Sequence, residues 1–175
     1  MPGTTDREIS PIPESFVRVG QSLGERATIA LAMSRVAVIG VGGVGMSALA
    51  TVLIKEGFGV SGSDRNLDTP NIGFLRSIGV EVFPDDGSGV GEDVDEVVFS
   101  TAIEDDNPTI LKARKLGKRI SHRAKALSNV LSGRKLVAVV GTCGKSTVTA
   151  MLGHILSEAG LDPLCVNGAN VPGWE

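Results

Sequence analysis

Tyrosine is missing from the 175 residues, and five Phe and one Trp are the only aromatic side chains. Proteins that bind single-stranded nucleic acid stack its bases on aromatic platforms, so this composition argues against that class of partner. Positive charge is equally short. The 17 Lys and Arg stand against 20 Asp and Glu, for a net charge of −3, which argues against a general nucleic-acid binder. Small anions remain open as ligands, because loop amides and a single Lys suffice to make a local positive site. The two cysteines, Cys143 and Cys165, form neither a metal-ligand spacing nor a disulfide framework, so a reduced, cytoplasmic setting is expected. No apolar run approaches the roughly 18 residues of a membrane span. Residues 1–34 carry Asp6, Glu8, Glu14 and Glu25 along with Pro11 and Pro13. That is unlike a signal peptide, and the stretch reads as an N-terminal extension with one helix around 14–32.

What the chain does have is β-branched apolar runs and glycine. Hydrophobic residues make up 42% of it and there are 23 glycines, a composition suited to an α/β protein with tight loops. Buried parallel strands are expected at "RVAVIG" (35–40), "GVSGS" (59–63), "VEVF" (80–83), "EVVFST" (96–101), "KRIS" (118–121) and "KLVAVVG" (135–141), with helical stretches between them. Asp68 or Thr69 before Pro70, and Asn107 before Pro108, have the chemistry of helix N-caps. Gly57, Gly79, Gly117 and Gly160 stand where helices stop. The pattern predicts a Rossmann-like doubly wound parallel sheet. "VAVIGVGGVGMSALA" (36–50) and "VAVVGTCGKSTVTA" (137–150) share one plan of strand, glycine loop and helix. A boundary is therefore expected near residues 131–135, with an extension over 1–34, a first domain over 35–132 and the beginning of a P-loop ATP-binding domain over 133–175.

In the first loop, Gly40, Gly42 and Gly45 have G-x-G-x-x-G spacing after a strand and before a helix. Gly40 would permit the turn, Gly42 would let a pyrophosphate approach the backbone, and Gly45 would allow close helix–strand packing. Asp64, at the end of the second strand, is placed to accept hydrogen bonds from a ribose and would repel a 2′-phosphate. NADP is thus disfavoured, while NAD stays open. The bland reading is a packing turn with a solvated acid. In the second loop, "GTCGKST", the amides of residues 142 to 147 can surround a phosphate. Lys145 would reach β- and γ-phosphates, and the Ser146 hydroxyl suits Mg²⁺. Counting back from Gly144, Val139 stands where the usual G-x-x-x-x-G-K-[ST] loop has its first glycine. Cys143 reads as a loop residue and Cys165 as a strand or core residue, with no His partner placed to make either a nucleophile.

Taken in order, "GVGGVGMSALA", "VSGSD", "STAI", "NP", "SHRAKAL" and "GTCGKST" resemble the Mur ligases, and most of all those members that join L-alanine or a peptide to UDP-N-acetylmuramate. The resemblance covers residues 35 to about 170. It accounts for Val139, since the family's loop is itself the shorter G-T-x-G-K-[ST]-T. His is usual where Cys143 stands, and Thr is frequent where Ser146 stands.

The resemblance implies that Gly40 and the run Gly42, Gly43, Val44, Gly45, Met46 and Ser47 hold the diphosphate of a UDP-sugar. Asp64 would lie near the uridine ribose, and Ser100, Thr101, Ala102 and Ile103 would line the site from a strand's carboxyl end. His122 and Arg123 would contact the nucleotide or its phosphates, against the alternative that His122 merely opens a helix. His154 reads as an ordinary helix residue. Gly141, Thr142, Cys143, Gly144, Lys145, Ser146 and Thr147 would bind ATP, with Lys145 and Ser146 catalytic and Ser146 on Mg²⁺. The implied reaction phosphorylates a carboxylate with ATP and lets an amine attack the acyl phosphate. The residues supplying the remaining chemistry are expected beyond Glu175, so the chain by itself is expected to be an inactive piece. The apolar side of its last helix (Val148, Met151, Leu152, Ile155, Leu156) would then be uncovered or packed on the first domain or another copy. Two further readings are a noncatalytic UDP-sugar-binding module and an NAD-binding domain.

Overall fold

The computed structural model describes residues 34–132, 134–168 and 171. The helix expected around 14–32 lies outside them. Five strands form one all-parallel sheet: β1 (Arg35–Ile39), β2 (Gly59–Asp64), β3 (Glu81–Pro84), β4 (Glu96–Phe99) and β5 (Arg119–His122), in the order β3-β2-β1-β4-β5. This is the expected doubly wound arrangement. The switch in winding direction falls between β1 and β4, and ligands of such sheets gather at the carboxyl ends there.

The alternation along β1 explains why both faces must be covered. Val36 and Val38 point into one apolar cluster, Ala37 and Ile39 into another, as a period of two requires. Helices α1 (Val44–Lys55) and α2 (Pro70–Ser77) cover the first face with Leu53, Ile72 and Leu75, and α4 (Arg123–Val130) adds Ala126. The second face is covered by α3 (Pro108–Lys115) through Ile110 and Ala113. Each of the fully buried Leu and Ile side chains contributes on the order of 1.5–3 kcal/mol, and the two alanines less.

The caps act as their chemistry predicts. The Thr69 hydroxyl accepts from the Ile72 N–H at 3.4 Å, and the Asn107 amide oxygen accepts from Thr109 and Ile110 N–H at 2.9 and 3.3 Å. Gly57, Gly79, Gly117 and Gly160 all have positive φ at the helix stops.

Three expectations need correction. The link from β3 to β4 contains no helix; residues 85–95 cross as turns, and Val90 and Val94 fill the space a helix would fill. Gly87, Gly89 and Gly91 interrupt any helix there. The run 135–141 is not a strand. Leu136, Val137 and Val140 are exposed, because no described strand lies alongside to pair with it, and a strand owes its stability to that pairing. Cys165, expected in a strand or the core, is likewise half-buried in irregular chain.

The helix α5 (Lys145–Glu158) forms as expected. Val148, Met151 and Ile155 on its apolar side are exposed, and Leu152 and Leu156 are half-buried.

Candidate functional site

The turn from β1 into α1 is held by the neighbouring strand. Gly40, at φ +71°, turns the chain so that its own N–H and that of Val41 both donate to the Ser63 carbonyl, at 2.7 and 3.1 Å. Val41 is driven fully into the core. Gly43 caps α1 through backbone alone, its carbonyl accepting from Met46 and Ser47 at 3.1 and 2.9 Å. The amides of Val44 and Gly45, in the first turn, have no intrahelical carbonyl to meet and face the helix start, where the positive end of the dipole lies.

The glycines here serve the protein's own side chains as well as any ligand. The Gly42 N–H donates to Asp64 Oδ2 at 2.8 Å, and the Gly42 carbonyl accepts from Asn71 Nδ2 at 2.8 Å. A Cβ at Gly42 would stand 2.9 Å from Asp64 Oδ2 and 3.0 Å from Thr69 Oγ1. Asp64 therefore clamps the loop, with Oδ1 taking the Asn66 N–H at 2.9 Å, and each oxygen keeps a lone pair for a further donor. The packing role expected of Gly45 is corrected: a Cβ there would meet the Arg123 guanidinium rather than a strand. Arg123 thus reaches over the start of α1 from the start of α4, two positive ends on one spot. Met46 and Ser47 turn inward; Met46 joins the core, and the Ser47 hydroxyl donates to the Val44 carbonyl at 3.0 Å.

The 100–103 segment comes to the same place. It follows β4 as a turn closed by the Ile103 N–H to the Ser100 carbonyl at 3.0 Å, with Thr101 and Ala102 exposed. Ile103 Cδ1 would lie 3.6 Å from a Cβ on Gly40. His122 is the N-cap of α4: its Nδ1 accepts from the Ala124 N–H at 3.3 Å, which puts the proton on Nε2. Nε2 is buried with no partner among the described residues, and the ring stands edge-on to Phe99 at 5.6 Å. Gly40, Gly42, Asp64, Ile103 and Arg123 are thus gathered at one edge of the sheet. Asn71 and Asp85 also belong to this edge. Neither was singled out in the sequence, where they are an amide inside a helix and one acid among many.

The second loop is built by Gly144, left-handed at φ +78° as the N-cap of α5. Lys145 Nζ folds back onto the Gly141 and Thr142 carbonyls at 2.7 and 3.1 Å. Thr142, Cys143 and Thr147 are exposed and Ser146 is half-buried. The Ser146 carbonyl accepts from Asn167 Nδ2 at 3.1 Å, tying the returning chain to the first turn of α5. A cleft of about 1190 Å³ starts at the first loop, where Val44, Ser47 and Asn71 line it, and continues past Phe74 and Arg134 to Cys165 and Asn167.

A family description, "Mur ligase family, catalytic domain", matches residues 35–135. Among curated proteins, a UDP-N-acetylmuramate–L-alanine ligase of Paenarthrobacter aurescens (strain TC1) is 44% identical over 140 residues, covering 80% of this chain and 30% of that one. Among solved structures, the UDP-N-acetylmuramate–alanine ligase of Thermotoga maritima aligns with a TM-score of 0.67 and 34% identity, over 72% of this chain and 30% of that one. A UDP-N-acetylmuramate:L-alanyl-γ-D-glutamyl-meso-diaminopimelate ligase of Neisseria meningitides aligns with a TM-score of 0.70 and 31% identity, over 81% and 44%. The chain spans about 30% of the length of the curated relatives it matches.

Proposed function

The chain belongs to the Mur ligase family, and from that premise we propose that residues 35–132 bind the UDP-sugar of a ligase joining L-alanine, or a peptide, to UDP-N-acetylmuramate. Residues 133–175 would begin the domain that binds ATP and yields ADP. The observation that supports this most is the convergence of the Gly40–Gly45 turn, Asp64, the Ile103 turn and Arg123 on one edge of the sheet. A diphosphate there would meet the amides at the start of α1 and the Arg123 guanidinium, and a ribose hydroxyl would meet Asp64. At this edge the protein only positions the nucleotide: no bond of the diphosphate changes in the proposed reaction.

The second loop has the parts to hold a triphosphate. Lys145 rests on two loop carbonyls, a contact that phosphate oxygens would replace by a stronger one. The described residues contain no group of three or more Asp, Glu, His or Cys able to hold a metal. One hydroxyl, Ser146, at the start of α5 fits Mg²⁺, which is typically shared between phosphates, waters and one or two protein oxygens. Bound there, the ion would neutralise charge on the transferring phosphoryl group. The exposed apolar side of α5 and the 135–141 run, unpaired among the described residues, fit a nucleotide domain completed by further chain, so the 175 residues alone should bind without ligating.

Calorimetric titration with UDP-N-acetylmuramate, with UDP-N-acetylglucosamine and NAD as comparators, tests the first half. Preference for the muramate is expected; binding of NAD alone would overturn the reading. Thiol alkylation tests the second. Burial pushes the Cys165 thiol up and leaves it less thiolate at pH 8, whereas Cys143 is exposed in the loop. Iodoacetamide should modify Cys143 first, and MgATP should slow that site and not Cys165. Equal rates at Cys143 with and without saturating MgATP would count against nucleotide binding.

A further inference from the structure

Asp85 follows β3 directly, and its side chain is only 3% exposed. Its carboxylate is a meeting point for two other elements, β2 and the start of α3. The Ser63 hydroxyl of β2 donates to Oδ1 at 3.3 Å, Asn107 Nδ2 donates to Oδ2 at 2.7 Å, and the Thr109 hydroxyl donates to Oδ1 at 2.8 Å. Arg65 Nε, at the solvent side, lies 3.8 Å from Oδ2. Ser63, Asn107 and Thr109 are themselves buried. A charge at this depth persists only where several donors meet it.

Each of these partners continues into one half of the proposed ligand edge. The Ser63 carbonyl takes the Gly40 and Val41 N–H groups, and the next residue, Asp64, takes the Gly42 N–H. Asn107 and Thr109 begin α3 and end the 100–107 segment, whose Ile103 lies against Gly40. We infer that Asp85 is a positioning residue that couples the glycine turn to the 100–103 turn, holding both in register for the sugar nucleotide. The binding half of this inference rests on the proposed function; the coupling half stands on the hydrogen bonds alone.

The test is a pair of variants. Asp85→Asn removes the charge and one acceptor oxygen: its N–H₂ faces either the Asn107 N–H₂, donor against donor, or the Ser63 and Thr109 hydroxyls, which must then accept instead of donate. The double variant Asp85→Asn/Asn107→Asp exchanges the two groups. It restores donor to acceptor, and a carboxylate at position 107 still caps α3. Affinity for UDP-N-acetylmuramate should fall about tenfold or more in the single variant, the effect of losing a charge-assisted bond, and return to within about threefold of the parent in the double. Ile110→Val, a core change in α3 that leaves the carboxylate alone, serves as the stability control. Amide hydrogen exchange, measured without ligand, should quicken at both Gly40–Gly45 and Ser100–Ile103 in the single variant and recover in the double. Affinity that tracks melting temperature equally in Ile110→Val and Asp85→Asn would reduce Asp85 to a structural role. Exchange confined to residues 85–95 and the start of α3 would overturn the coupling. If the parent binds no sugar nucleotide, the proposed function fails, while the exchange data still decide the coupling.

Discussion

Replacing Gly62 by Ala should lower the unfolding free energy by about 1–3 kcal/mol although it adds a single methyl group. A Cβ at that position would stand 2.6 Å from Val41 Cγ1, 2.9 Å from Val41 Cβ and 3.0 Å from Val41 Cγ2. Val41 cannot retreat. It is fully buried, and its N–H is fixed to the Ser63 carbonyl at 3.1 Å. Gly62 cannot retreat either, since it is paired with Val38 on one side and Val82 on the other. Denaturant melts should show a lower midpoint with an unchanged slope. Adding Val41→Ala should recover part of the loss, so that the double variant costs less than the two singles summed. Gly73 in α2, with nothing within 4 Å of its Cβ position, is the control. Ala there should raise stability by about 0.4–1 kcal/mol. A midpoint for Gly62→Ala indistinguishable from the parent would show that the β1–α1 turn has more slack than its contacts allow.

The second large effect is on binding. Asp64→Ala should weaken UDP-N-acetylmuramate about 10- to 100-fold. The carboxylate holds the Gly42 and Asn66 N–H groups at 2.8 and 2.9 Å, which fixes it to meet the ligand; one ribose hydroxyl bonded to a charged group contributes roughly 1.5–3 kcal/mol, and 1.4 kcal/mol is tenfold in affinity. Asp64→Asn keeps an oxygen for the Gly42 N–H and should fall between. The clamp and the ribose contact separate with 2′-deoxy and 3′-deoxy analogues of the nucleotide. If Asp64 accepts a ribose hydroxyl, removing that hydroxyl costs affinity in the parent and little in Asp64→Ala. Unchanged affinity in Asp64→Ala would remove Asp64 from the site altogether.

Much of this edge is readable from sequence, for a definite reason. The strands are short runs carrying Val or Ile, three of them entered just after a helix-stopping glycine (Gly57, Gly79 and Gly117), and two of the helices begin with Thr69 and Asn107 caps, whose local chemistry needs no tertiary information. The failures come where the outcome depends on what lies alongside. Residues 135–141 have a strand's composition but no described neighbour to pair with. Strand–helix alternation predicts a helix across residues 85–95, but three glycines in those eleven residues act against one. Gly42 and Gly45 were legible as glycines but not in their role. The side chains that use their space, Asp64, Thr69 and Arg123, come from distant positions in the chain. Asp85 gave no signal at all, since nothing in "PDDGSG" distinguishes a buried acid from its neighbour Asp86. That neighbour stays at the surface, with its carboxyl held below the usual carboxylate range by hydrogen bonds from Ser88.

The strand order also imposes an order of events on the folding chain. β1 reaches β2 across α1 alone and β2 reaches β3 across α2 alone, so half of the sheet assembles from sequence neighbours. β4 must instead find the other flank of β1 after that whole half has passed. The added closure entropy is only about 1 kcal/mol, because it grows with the logarithm of length, but non-local pairing slows folding far more than it costs stability. Asp85 belongs to the early half, and its Asn107 and Thr109 donors arrive with the late one. Until they do, the carboxylate is solvated and the β1 edge, with Val36 and Val38 on it, lies open to any other unpaired strand. Pairing of β4 with β1 therefore closes the interval in which a half-made sheet can recruit a neighbouring chain, and the docking of α3 onto Asp85 fastens that late half to the early one.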